Sequence, residues 1–173
     1  PKNIQLRMDV DEDTPPVRCD RAQLIAALLN LAALARQQGE LDVAAFYLVQ
    51  AEKTAFARHA GQRSFENALL LLQRGQLAEA KEAAVQTAQR DADLAGKANN
   101  LVARIDYKLD DYPAARQRLQ NALNYLRETT EGLERANAYR LLARLEIDAG
   151  DLEQATKALD QALRIDKRLN LPG

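Results

Sequence analysis

Tryptophan is absent, and cysteine, histidine and methionine occur once each among the 173 residues. One cysteine, Cys19, cannot form an internal disulfide. Its neighbour is Arg18, with no His or Lys close in sequence to lower its pKa, so it reads as a partly buried thiol. A zinc site built on His and Cys would lack partners, and a single histidine leaves little for nucleophilic catalysis. His59 stands at the end of an expected helix, where a cation suits the dipole, and reads as a capping or surface residue. Gly-rich phosphate loops and Ser-centred nucleophile motifs are missing. Asp11, Glu12 and Asp13 lack the spacing and turn glycine of a calcium loop, which leaves a solvated acidic turn. No cofactor, no metal and no catalytic residue is expected.

Long apolar runs are missing too. A membrane-crossing helix needs about 18 or more such residues in a row. Neither sign of charge dominates. The 24 basic and 25 acidic residues leave a formal net charge of −1, so no global field and no basic tail would draw in nucleic acid.

What the chain does have is Ala and Leu in helical spacing. Hydrophobic residues make up 47% and charged residues 28%, enough for one domain with a real core. A phrase recurs four times: Gly39-Glu40-Leu41, Gly75-Gln76-Leu77, Asp110-Asp111-Tyr112 and Gly150-Asp151-Leu152, spaced 36, 35 and 40 residues apart. Helical segments at such a period signal a solenoid of helix pairs. Seven residues before each turn stands Ala32, Ala68, Ala103 or Ala143. Five residues after it stands Ala44, Ala80, Ala115 or Ala155. Small residues at these points let paired helix axes approach closely.

The expected helices run over residues 21–38, capped by Asp20, and 41–59. Residues 60–62 then read as a turn, and Ser64 as the cap of a short helix to 74. Further helices cover 77–91, two segments flanking Asp110-Asp111, and two on either side of Gly150, ending near 149 and 169. Pro113 falls in a first turn, where a missing N–H costs nothing. Residues 1–19 stand apart. Ile4, Leu6, Met8 and Val10 alternate with polar residues as in an extended segment, and Asp11 to Pro16 breaks regular structure. The chain opens at Pro1 rather than Met, so an upstream region is expected. Its close, Leu169-Asn170-Leu171-Pro172-Gly173, reads as a linker into another repeat.

These residues resemble the tetratricopeptide repeat. The last repeat matches its pattern best, with Ala143, Gly150-Asp151-Leu152, Ala155 and Ala162. The third has Ala103, Tyr112, Ala115 and Ala122, and the first has Ala32, Gly39, Ala44 and Ala51. The second departs, with Thr87 in place of the late Ala and Asn67 in place of a large apolar residue. The proline that closes many such repeats is absent throughout. The resemblance covers residues 21 to about 170. It implies an all-α, right-handed superhelical solenoid of four antiparallel helix pairs, with repeats at about 21–60, 61–93, 94–131 and 132–170. The Ala-, Leu- and Arg-rich helices look bacterial, and small envelope lipoproteins carry such repeats, so a bacterial protein of the cytoplasm or periplasm is expected. For function the resemblance implies a scaffold that binds a protein or peptide.

In that family the first helix of each pair lines a concave groove. In the third repeat the groove positions are Lys97, Asn100, Arg104, Tyr107 and Lys108, and in the fourth Asn137, Arg140, Arg144, Ile147 and Asp148. Five cations and two carboxamides thus converge in a nearly neutral chain. Arg presents a fork that suits carboxylates, Asn can clamp a peptide backbone, and Tyr107 adds a flat apolar surface. The first two repeats place Ala26, Leu29, Ala33 and Arg36, then Gln62, Phe65, Leu69 and Leu72, a mostly apolar half. One apolar and one basic end suit a partner of acidic or C-terminal carboxylate character. The pattern is similar to the carboxylate clamp of chaperone-binding members but does not match it residue for residue. Two competing readings are self-filling, with Ile4 to Val10 lying on Phe65, Leu69 and Leu72, and a solvated face whose cations pair with Asp106, Glu134 or Asp148. A third reading uses the ends. Leu152, Leu159, Leu163 and Leu169 form an apolar stripe on the last helix, where a terminal repeat needs a polar cap. It predicts a covering helix or a homodimer.

A smaller resemblance lies at residues 4–31, which are similar to the start of a histidine-kinase ATP-binding domain through Val17-Arg18-Cys19-Asp20, Gln23-Leu24 and Leu28-Leu29-Asn30-Leu31. The magnesium-binding Asn of that family would fall at Leu34, and the glycine-rich lid motifs are missing. The match is therefore read as an apolar helix with its lead-in.

Overall fold

The computed structural model describes residues 20–53, 59–127 and 131–169. The extended segment expected at 1–19, Cys19 and the linker-like close after 169 lie outside these residues. Among the described residues eight helices follow one another: α1 (Arg21–Gln37), α2 (Leu41–Lys53), α3 (Ala60–Gln73), α4 (Leu77–Arg90), α5 (Ala95–Lys108), α6 (Tyr112–Leu126), α7 (Gly132–Asp148) and α8 (Leu152–Leu169).

Each pair is joined by the same turn, and the reason is a backbone one. Gly39, Gly75 and Gly150 take φ of +82°, +77° and +80°, a region glycine enters at no steric cost. Asp110 holds the same place in the third pair at φ 59°. In all four turns the N–H two residues past the helix cap reaches back to the same carbonyl. The bonds are Glu40 to Ala35 (2.9 Å), Gln76 to Leu71 (2.9 Å), Asp111 to Asp106 (2.9 Å) and Asp151 to Glu146 (2.8 Å). This is the Schellman closure, which satisfies carbonyls the helix end would otherwise leave orphaned. The chain then re-enters a helix at once. Asp111 caps α6 by accepting from the Ala114 N–H at 3.2 Å, with Pro113 in the first turn.

The pairing alanines are buried: Ala68, Ala80, Ala103 and Ala115 at 0%, Ala143 at 1%. Three core clusters follow along the chain, and each draws residues from the next repeat. Leu70 of α3 sits with Ile25, Leu29, Ala44 and Leu48 of the first pair. Leu101, Val102 and Ile105 of α5 sit with Ala68, Ala80 and Ala84 of the second. Ala138 and Leu145 of α7 sit with Ala103, Ala115 and Leu119 of the third. The core is therefore a continuous line with no single centre, as a stacked-repeat fold requires.

One segment differs from expectation. The turn expected at residues 60–62 is the first turn of α3, Ser64 lies inside that helix, and His59 precedes it rather than ending α2. The His59 side chain makes no capping bond, and its Nδ1 is buried without a hydrogen-bond partner among the described residues. The cause is tertiary. Gly61 packs so closely on the end of α4 that a Cβ there would lie 2.8 Å from the Asp91 Cβ. Ser64 Oγ donates to the Ala83 carbonyl of α4 at 3.3 Å.

Candidate functional site

The first helices of the pairs, α1, α3, α5 and α7, touch one another in series. Among the described residues the second helices, α2, α4, α6 and α8, do not. A stack whose one row touches and whose other row splays curves toward the touching row. The first helices, which carry the expected inner-face residues, therefore face the concave side.

Between α5 and α7 this face is a ladder of polar contacts. Lys97 Nζ pairs with Glu131 at 2.5 Å. Asn100 Nδ2 donates to the Glu134 carboxylate at 3.2 Å and to its carbonyl at 3.4 Å. Tyr107 donates its hydroxyl proton to Asp148 at 2.6 Å. That bond, more than burial, pushes the Tyr107 phenol above its ordinary 10.0. The Arg144 guanidinium lies 5.6 Å from the centre of the Tyr107 ring, a cation–π contact. Tyr107 also meets Tyr112 at 5.6 Å between ring centres, tilted by 49°.

The structure sorts the expected site residues into two groups. Asn100 is 2% exposed and its amide is held by Glu134, so it is not open to a peptide backbone as expected. Lys97 is ion-paired. Arg140 donates to the buried Asp166 at 2.5 Å and to Asn137 at 2.9 Å, which ties α7 to α8. Phe65, Leu69 and Leu72 are half-buried against the second core cluster. Leu29, expected at the groove, is buried in the first. Arg36 pairs with Glu66 of α3 at 3.3 Å. The other group is open. Arg104 and Lys108 are exposed and, like Arg144, make no ion pair among the described residues. Arg104 and Lys108 are one helical turn apart, with Tyr107 beside them, and Arg144 reaches over from α7. The self-filling idea involves Ile4 to Val10, which fall outside the described residues.

Residues 93–168 match the family model described as tetratricopeptide repeat. This stretch is built of tetratricopeptide repeats. The matched stretch spans α5 to almost the end of α8, and so carries the whole ladder. No curated protein matches the chain. Among solved structures, one from the functional characterization of Pseudomonas aeruginosa pilF is similar, with a TM-score of 0.73 and 19% sequence identity. The match covers 85% of this chain and 63% of that one. At this identity the likeness concerns fold alone. A helical-repeat scaffold of this family typically mediates protein interactions.

Sequence reading missed the burial of three acids in the tetratricopeptide repeats, and placed one of them, Asp106, on a solvated face. Asp106 of α5 is fully buried beside Lys81 Nζ of α4 at 2.5 Å. Glu146 of α7 accepts from Arg116 of α6 at 2.6 Å. Asp166 is the partner of Arg140. A signal existed for the first two. Each acid stands four residues before its turn, and each cation six residues after the preceding one. Among the described residues no group of acids, Cys and His could hold a metal ion, and no helix is long and apolar enough to cross a membrane.

Proposed function

We propose that this chain is a non-catalytic scaffold that binds an acidic protein segment on its concave face, at Arg104, Tyr107, Lys108 and Arg144. The observation behind this reading is the contrast within one ladder. Lys97 and Arg140 are matched by carboxylates, while three cations at the α5–α7 edge have none among the described residues. A guanidinium resting on a ring face keeps its edge donors free for a carboxylate, and the tilted Tyr107–Tyr112 pair offers an apolar plane beside them. Asp148 is the nearby negative charge; held by the Tyr107 hydroxyl, it fixes the ring that Arg144 covers.

The test is binding of an acidic-peptide library, each peptide made with free and with amidated C-termini. Wild type is compared with Arg104→Glu/Lys108→Glu/Arg144→Glu and with Arg90→Glu on α4 as a control. Arg140 is left intact because reversing it would strand buried Asp166. Peptides retained by wild type and the control but lost by the triple variant support the reading, and affinity should fall as salt rises. A preference for free C-termini assigns the cations to a terminal carboxylate. Equal retention by all three proteins overturns the site.

A further inference from the structure

We infer that copies of this chain stack end to end, with α1 of one copy packing on α8 of the next through the same joint that connects repeats inside the chain. The inference concerns the ends and stands apart from the concave-face reading.

Five residues before each turn stand Leu34, Leu70, Ile105 and Leu145, exposed by 45%, 3%, 0% and 2%. The last three are the residues each first helix inserts into the preceding repeat's core. Nine residues after each turn stand Leu48, Ala84, Leu119 and Leu159, exposed by 7%, 0%, 0% and 47%. The first three belong to the cores that receive those insertions. One half of the internal joint is therefore open at α1 and the other half at α8. Leu163 extends the open half. Its equivalent in α6, Leu123, packs against the third core, whereas Leu163 is exposed.

Charge agrees. The two later joints each bury an acid on the incoming helix against a cation on the receiving one, Asp106 with Lys81 and Glu146 with Arg116. The equivalent end positions are Ala35 on α1 and Thr156 on α8, so stacking would bury no unmatched charge there. The first joint, with Leu71 on α3 and Ala45 on α2, already works without the ion pair. Because the two surfaces differ, the contact is heterologous and leaves a free end after every addition.

Sedimentation of the 173-residue chain over a concentration series tests this, using Leu34→Glu, Leu159→Glu and their equimolar mixture. Both leucines are nearly half exposed, so the variants should keep wild-type helicity. Leu34→Gln and Leu159→Gln repeat the experiment if either glutamate variant loses it. Wild type should exceed the mass of two 19.2 kDa chains as concentration rises, and each variant alone should stay at one. The mixture should stop at two, since one variant retains an intact α8 and the other an intact α1. A wild type that stays at one chain mass, as it would if only another protein's helix covers these faces, overturns the inference. So does a mixture that remains monomeric, or self-association lost in Leu159→Glu but kept in Leu34→Glu.

Discussion

Glu66 shows how a single side chain can carry strain in a polar ladder. It sits on α3 with its side chain 15% exposed, between Arg36 of α1 and Lys97 of α5. Burial raises its pKa above 4.5, outweighing the two cations that lower it. The folded chain thus holds this proton more tightly than the unfolded one. As pH rises from 4.5 toward the raised value, stability falls, and the cost of the buried carboxylate is fully present above it. Glu66→Gln removes that titration. Its stability relative to wild type should rise across this interval and then level off. Urea midpoints from about pH 4 to about pH 8 would check it; parallel curves would exclude Glu66 as the source. At this scale the turns were legible, because Gly39, Gly75 and Gly150 are the residues a left-handed turn selects. Asn100 was not, because its type fits a groove amide and a buried one equally. Only the position of Glu134 on the neighbouring helix decides between them.

At the scale of elements, joints between repeats are fixed by buried ion pairs as well as by apolar contact. Glu146 keeps a side chain only 7% exposed and is matched by Arg116 from α6. Removing one partner of such a pair leaves a buried charge, whereas removing both can be nearly neutral. Arg116→Met should therefore cost about 3 kcal/mol, and Arg116→Met/Glu146→Leu should recover most of it. Chemical denaturation of the two variants beside wild type reads this directly. A double variant as unstable as the single would mean that Arg116 contributes by packing its stem rather than by neutralising Glu146. Most helix boundaries were legible from glycines and caps, within a residue or two. The α2–α3 region was not. Ala60-Gly61-Gln62 followed by Ser64 has the local chemistry of a turn and a cap, and the helix there depends on how closely Gly61 meets Asp91.

At the scale of the whole molecule, a line of nearest-neighbour joints is only as cooperative as its weakest one. That joint lies between the first and second repeats. Arg36 and Glu66 pair across it, but Leu71 and Ala45 stand where the later two joints bury an acid against a cation. A cleft of about 640 Å³ opens there between α2, α3 and α4, lined by Leu48, Val49, Asn67, Leu71, Arg74 and Thr87 among others. Asn67 occupies the place that Val102 and Leu142 fill in the next two repeats, and Val102 is fully buried. The sequence marked the second repeat as the poorest match at both Asn67 and Thr87. It could not show that Thr87 satisfies itself by donating to the Ala83 carbonyl at 2.9 Å while Asn67 stands exposed on the wall of the cleft. The first repeat, α1 and α2, should therefore open as a unit below the global unfolding energy. Native-state hydrogen exchange should find its amides less protected than those of α5 to α8. Filling part of the cleft with Asn67→Leu should stabilise the chain by about 1 kcal/mol. If the joint is the cause, the same change should raise protection in α1 and α2 toward that of the later helices. Protection that stays low in α1 and α2 while overall stability rises would instead place the weakness within the α1–α2 pair.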